Sequence, residues 1–223
     1  MTTSKRPRDA AATRQAIVSA AAQEFAEHGF DGARIDLIAE GSGCNKALIF
    51  RYFGDKLGLY TEVLQRMDRD VAELCSRALP PVGEFEAAVA DREHLSALLR
   101  SVLGALVDHM LAHPQTARML CWEQAEGWET YAKIAGRFDT DDLARLTAVL
   151  AAARRAGTVR PDLDVGLVAV LALQMCWSAP SALALHQQLT GAEPVTDRTR
   201  DQVVAFLHAA IMHDPHPESE TTP

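Results

Sequence analysis

Three groups of side chains in this 223-residue sequence carry chemistry that could do work. The first lies between Arg34 and Lys56, where Arg34, Asn45, Lys46, Arg51, Tyr52 and Lys56 supply guanidinium, amide, ammonium and phenol groups. Such groups donate hydrogen bonds to anionic or polar surfaces, or else stand as solvated charges. The second is His109 with His113, four residues apart and therefore on one helix face, a metal-ligand spacing. No third ligand accompanies them at a recognisable spacing and no HExxH pattern occurs, so a metal is not expected. The third group is aromatic and sulfur-bearing: Met110, Met119, Trp122, Trp128, Tyr131, Met175 and Trp177. These side chains suit the wall of an apolar ligand cavity and equally the filling of a core. Cys44, Cys75, Cys121 and Cys176 are widely spaced without a CxxC pair, which reads as reduced thiols. There is no glycine-rich phosphate loop, nucleophile elbow or cysteine–histidine signature, so neither an enzyme nor a cofactor is expected.

The elements that must position these groups all read as helices. Period-2 alternation and Asn-Gly or Asp-Gly hairpin signals are missing. A first helix is predicted from residue 9 or 13 to 28, with Ile17, Ala21 and Phe25, flanked by Val18 and Ala22, on one stripe; Gly29 is placed to supply its left-handed cap. Short helices follow over 35–40 and 45–53, separated by a turn at Gly41-Ser42-Gly43. Asn45 caps the second of them, and Asp55 caps a fourth helix carrying Leu59, Val63 and Met67 towards residue 79. Pro80 to Gly83 ends that helix. Further helices are predicted over 93–112, 114–126, 141–156, from Val165 onward behind an Asp164 cap, and over 197–212. Pro180 is expected to kink or split the helix that contains it. Residues 214–223 read as a disordered tail.

Composition sets the class. With 48% hydrophobic and 23% charged residues the chain is of globular type. No uninterrupted apolar run is long enough for a bilayer once Gln174, Ser178, Pro180 and Ser181 are counted, and the charged N-terminus lacks a signal-peptide stretch, so no membrane and a cytoplasmic location are expected. The net charge of −8 argues superficially against nucleic acid, yet residues 1–60 are close to neutral at +1, and Lys5, Arg6, Arg8 and Arg14 crowd the first stretch. A small neutral-to-basic module on an acidic body fits a nucleic-acid-contacting unit.

The segment Arg34 to Phe53 has the proportions of a helix-turn-helix. Ile38 and Ala39 point inward from its first helix, while Cys44 and Ile49 complete a small core, Cys44 as packing and not as a redox sensor. Phe50 and Phe53 read as core as well. Ile38-Ala39, Ser42-Gly43-Cys44-Asn45, Ile49-Phe50-Arg51-Tyr52-Phe53, Lys56 and Leu59 stand in register with the DNA-binding domain of the tetracycline-repressor (TetR) family, which residues 13–64 resemble. His28-Gly29-Phe30 matches that family's usual entry. The resemblance implies an all-α dimer whose second motif helix enters the major groove of a quasi-palindromic operator, with the two recognition helices roughly 34–36 Å apart. It carries DNA-contacting roles onto Arg34, Asn45, Lys46, Ala47, Leu48, Phe50, Arg51, Tyr52 and Lys56. Asn45 and Lys46 would open the recognition helix against phosphate, Ala47 and Leu48 would meet a thymine methyl, and Arg51 would reach a guanine edge. Tyr52 and Lys56 correspond to backbone contacts. Arg34 stands where the family commonly has Thr, Phe50 replaces the usual Tyr, and Leu48 replaces a small polar residue, so the operator sequence is this chain's own.

The expected organisation is therefore a DNA-binding domain over 1–55, with a flexible basic arm over 1–12, and a ligand-binding and dimerisation domain over 56–213, of which 56–79 is a connecting helix. The helix from Val165 is apolar nearly all round, which demands a partner beyond one face; it and the last helix are the expected homodimer surface. A largely apolar small-molecule inducer is the expected ligand. The alternative is a helical small-molecule- or metal-binding protein whose helix pair is structural only.

Overall fold

A computed structural model describes residues 7–79, 89, 91–138, 141–191 and 196–212. The elements are α1 (Pro7–Gly32), α2 (Ile35–Ser42), α3 (Lys46–Phe53), α4 (Lys56–Ala78), α5 (Arg92–Ala112), α6 (Pro114–Ala125), α7 (Glu129–Ile134), a 3-10 turn (Ala135–Arg137), α8 (Asp141–Arg155), α9 (Val165–Thr190) and α10 (Thr196–Ile211). Among the described residues there is no strand, only an isolated bridge between Val159 and Met212. Lys5, Arg6, the Pro80–Gly83 linker, Phe85 and the tail from His213 lie outside the described residues. The chain divides into two compact units, Met1–Val71 with Ala112–Asp139, and Ala72–Leu111 with Thr140–Pro223. The first thus takes in part of the connecting helix and a later segment that the boundary at residue 55 assigned elsewhere.

In the first unit the stripe on α1 becomes its core. Ile17, Val18, Ala21 and Phe25 are buried against Ile38, Ala39, Ile49, Leu59, Tyr60 and Val63, with Met119 of α6 and Ile134 of α7 closing the same cluster. Each of the larger aliphatic and phenylalanine side chains so buried contributes about 1.5–3 kcal/mol before chain entropy is counted. Phe25 and Phe30 meet the Tyr60 ring edge-on, with centroids 4.8 and 5.1 Å away. α1 begins at Pro7, inside the stretch 1–12 expected to be a flexible arm. It also runs past Gly29, whose φ of 68° and ψ of −177° put a kink in a helix that continues to Gly32. Gly29 therefore breaks the helical conformation where the sequence predicts the helix to end, and a short turn through Gly32 follows it. The Gly41-Ser42-Gly43 turn is tighter than expected: Gly41 and Ser42 remain in α2, and Gly43 alone takes the left-handed conformation, φ 65°.

In the second unit α5 is the central helix, burying Leu95, Leu99, Val102, Leu103, Leu106, Val107 and Met110. α5 and α10 are joined by Arg200, whose Nε donates to both Asp108 carboxylate oxygens at 2.8 and 2.9 Å and whose guanidinium lies over Gly104, where a side chain would collide with it. Ser96 and His208 join the same helices at 2.7 Å. Asp164 caps α9 by accepting from the Leu167 amide at 2.9 Å. α9 is continuous through Pro180, so the expected split does not occur. Its buried face is narrow (Ala169, Ala172, Cys176, Trp177, Ala179), while Leu167, Val170, Leu171, Leu185 and Leu189 are exposed, as is Phe206 of α10. By length and mean hydropathy (1.4 and 1.6) α5 and α9 each suffice to cross a bilayer, contrary to the reading of the uninterrupted runs alone. Composition of this kind also marks the core helix of a globular protein, the place α5 occupies here.

Candidate nucleic-acid interface

α2 and α3 are set by local chemistry. The Asn45 side chain accepts from the Leu48 amide at 2.8 Å, satisfying one of the donors left unpaired at a helix start. Asp55 does the same for Gly58 at the start of α4, at 2.7 Å. α2 is started from α1: buried Glu24 accepts from the Arg34 amide at 2.9 Å, placing a carboxylate at the positive end of that helix. Cys44 is half-buried on the core edge, in its packing role.

With Ile49 fully buried, the exposure of the other α3 side chains is fixed by helix geometry, about 100° per residue. Lys46, Ala47, Phe50 and Arg51 are exposed; Leu48, Tyr52 and Phe53 are half-buried. Phe50, at 42% exposure, is not the core residue it was expected to be. It lies one helical step off the Ile49–Phe53 side that faces the core. Phe53 does pack against that core, with Arg14 over its ring at 5.4 Å. Arg14 is fixed in turn by Glu62 at 2.6 Å.

The cations are tethered. Lys46 pairs with Asp36 of α2. The Arg51 guanidinium stands over the Tyr52 ring at 5.8 Å. Arg34 is exposed at the cap of α2. Lys56 donates to the Asp31 carbonyl at 3.1 Å and lies 5.0 Å from the centre of the Phe30 ring, so it neutralises the carbonyl end of α1 while sitting at the start of α4. Lys46 and Lys56, both expected to meet DNA, thus also hold the motif together.

The seven candidate ligand residues are divided between the two units. Met119, Trp122, Trp128 and Tyr131 belong to the first unit; Met110, Met175 and Trp177 belong to the second. Met119 is wholly in the first core. The Trp122 indole N–H donates to the Ala26 carbonyl at 3.3 Å, and its ring abuts Gly29. Trp128, left-handed at φ 64°, packs edge-on against Tyr131 at 5.9 Å, and Tyr131 stacks on Phe138 at 5.1 Å. Met110 and Trp177 are buried in the second unit, and Met175 is half-buried. That unit holds a seam lined only by apolar side chains, including Leu99, Leu103, Leu106, Leu150 and Ile211, with a free volume of about 10 Å³. None of the seven candidates lines it. His109 falls in the second unit and His113 in the first, and no cluster of three or more metal-ligating side chains occurs among the described residues.

Sequence reasoning missed a buried polar system behind the motif. Glu123 of α6 is fully buried; it accepts from the Tyr60 hydroxyl at 2.5 Å and from the Tyr131 amide at 2.9 Å. Burial, then the hydrogen bond and charge of Glu123, then the charge of Glu126 push the Tyr60 phenol above its ordinary pKa. Burial, with Asp68 and Glu123, raises that of Tyr131. Burial, with Asp31, Glu123 and Glu129 nearby, raises that of Glu126. The detectable signal was Glu123's position, at i, i+3, i+7 from Thr116 and Met119 on the buried face of α6.

Known proteins agree with this geometry. Residues 17–63 match the family described as bacterial regulatory proteins, tetR family, and residues 99–208 match a tetracyclin repressor-like C-terminal domain. The HTH-type transcriptional repressor SCO4008 of Streptomyces coelicolor is 31% identical over 208 residues, spanning 88% of this chain and 93% of that protein. The HTH-type transcriptional regulator RutR of Escherichia coli K12 is 33% identical over 56% of this chain and 54% of its own length. Among solved structures, SCO4942 of Streptomyces coelicolor superposes with a TM-score of 0.60 at 28% identity, covering 89% of this chain and 98% of that one. The Mycobacterium tuberculosis regulator KstR2 shares the fold, with a TM-score of 0.60 at 18% identity over 90% and 95% of the two chains. With its helix-turn-helix built from α2 and α3 and a relative matched along nearly its whole length, this chain belongs to the TetR family of DNA-binding transcriptional regulators.

Proposed function

We propose that the chain is a repressor that binds a quasi-palindromic operator as a homodimer and is released by a small, largely apolar ligand. The observation that carries the reading is the outward face of α3, presented by a helix pair whose opposite side is locked into the core of the first unit. Arg34, Asn45, Lys46, Ala47, Leu48, Phe50, Arg51, Tyr52 and Lys56 are its contact set. The exposed apolar side chains of α9 and α10 support a dimer through those helices, since a single chain leaves them in water. No catalytic role is proposed, and action on chromosomal DNA places the chain in the cytoplasm.

The apolar seam of the second unit is the proposed ligand region. Its free volume is about the size of one water molecule, so a larger guest requires its helices to part. That requirement supports coupling, because a ligand shifts an equilibrium only by its preference for one conformation. Fluorescence anisotropy of labelled genomic fragments flanking the chain's own gene tests the reading. Binding is expected at low salt, with log K falling linearly with log salt concentration. Replacing Lys56 by Ala is expected to lower that slope by about one, the share of one phosphate. Absence of binding to any genomic fragment at low salt would overturn the reading.

A further inference from the structure

The exposed arc of α3 has an order. At about 100° per residue, Phe50 and Ala47 occupy its middle, with Lys46 at one margin and Arg51 at the other. Lys46 is drawn further aside by its pairing with Asp36. The centre of the surface offered to a groove is therefore a benzyl group and a methyl group, neither of which makes a hydrogen bond. Against guanine O6 and N7 or the cytosine amino group, such a centre would strip water from polar base edges and return nothing. The thymine 5-methyl group is the base feature of the major groove that an apolar surface complements.

We infer that Phe50, with Ala47, reads thymine methyl groups at the centre of each operator half-site. This rests on the DNA-binding reading above and specifies what that face recognises. Phe50 then acts as a specificity residue through shape and dehydration, not through hydrogen bonds.

The test begins with enrichment of duplexes from a randomised library by the full chain. The winning duplex is then synthesised with thymidine or, at the central positions of each half-site, with deoxyuridine, which differs only by the methyl group. Affinity is expected to fall about fourfold for each methyl removed, the factor for losing the burial of one such group. Phe50→Ala is expected to bring the thymidine-to-deoxyuridine ratio close to one. Phe50→Leu should give an intermediate ratio, and Arg51→Ala should weaken binding while preserving the ratio. Phe50 is exposed, so these variants should melt like the parent chain. Equal affinity for the two duplexes, half-sites without central A·T pairs, or a full ratio in Phe50→Ala would overturn the inference while leaving DNA binding intact. Enrichment of no duplex would instead overturn the DNA-binding reading beneath it.

Discussion

Removing the Glu123 carboxylate should loosen the first unit far more than its distance from the DNA face suggests. In Glu123→Ala the Tyr60 hydroxyl and the Tyr131 amide both lose the acceptor they reach at 2.5 and 2.9 Å. Each buried donor left unpaired costs about 1–3 kcal/mol, and the vacated volume adds to that. The two donors alone come to about 2–6 kcal/mol, or a fall in melting temperature of roughly 4–24 °C for a chain of this size. Glu123→Gln keeps one acceptor oxygen and should lose about half as much. Thermal and urea unfolding followed by near-ultraviolet circular dichroism would read the unit directly, because Tyr60, Tyr131 and Trp128 are its reporters. A Glu123→Ala variant within about 1 kcal/mol of the parent would refute the reasoning. The pH dependence supplies an independent check. Tyr60 and Tyr131 are both raised when folded, so their stabilisation is complete below the unfolded tyrosine pKa of about 10 and is lost as pH rises beyond it. Tyr60 contributes a slope of about 1.4 kcal/mol per pH unit there, Tyr131 acts in the same direction, and Tyr60→Phe should make the alkaline loss correspondingly shallower.

Two further substitutions probe the same corner. Gly29→Ala should cost about 1–3 kcal/mol, because φ 68° with ψ −177° is a glycine conformation and an added Cβ would stand 3.1 Å from Trp122 and Glu126; a melt unchanged from the parent would contradict this. Glu126→Gln should raise the melting temperature at neutral pH, more at low salt than at high, since Asp31, Glu123 and Glu129 all act against its charge. For that raised carboxyl the stability is present below about pH 4.5 and declines as pH rises through its folded value, so the variant's advantage should vanish in acid.

Local rules made much of this legible. Asn45, Asp55 and Asp164 cap the helices their side-chain types suggest, and the stripe Ile17, Ala21, Phe25 is buried as its spacing requires. Phe50 was misjudged because aromatic character was weighed above register: Ile49 and Phe53 are four apart and face the core, and the residue between them must turn outward. The burial of Glu24 and Glu123 was not legible because an acid in a helix reads as surface until its partner is known, and the partners at Arg34 and Tyr60 lie 10 and 63 residues away in sequence. The division of the tryptophans and methionines between two units was unreadable for the same reason, since clustering in sequence does not reveal which core a helix joins.

The return of Ala112–Asp139 to the first unit changes what can be treated as a detachable part. The recognisable DNA-binding signature ends at residue 63, yet the acceptor for Tyr60, the indole against Gly29 and the side chains of Met119 and Ile134 all arrive from beyond residue 112. A reading head cut after the signature would leave that cluster open to solvent. Chimeras that graft this head onto another sensor body, or this body onto another head, would have to transplant the later segment with the first 71 residues or redesign the surface it covers. The DNA-binding end and the remainder of this chain are therefore not independently interchangeable at the end of the signature.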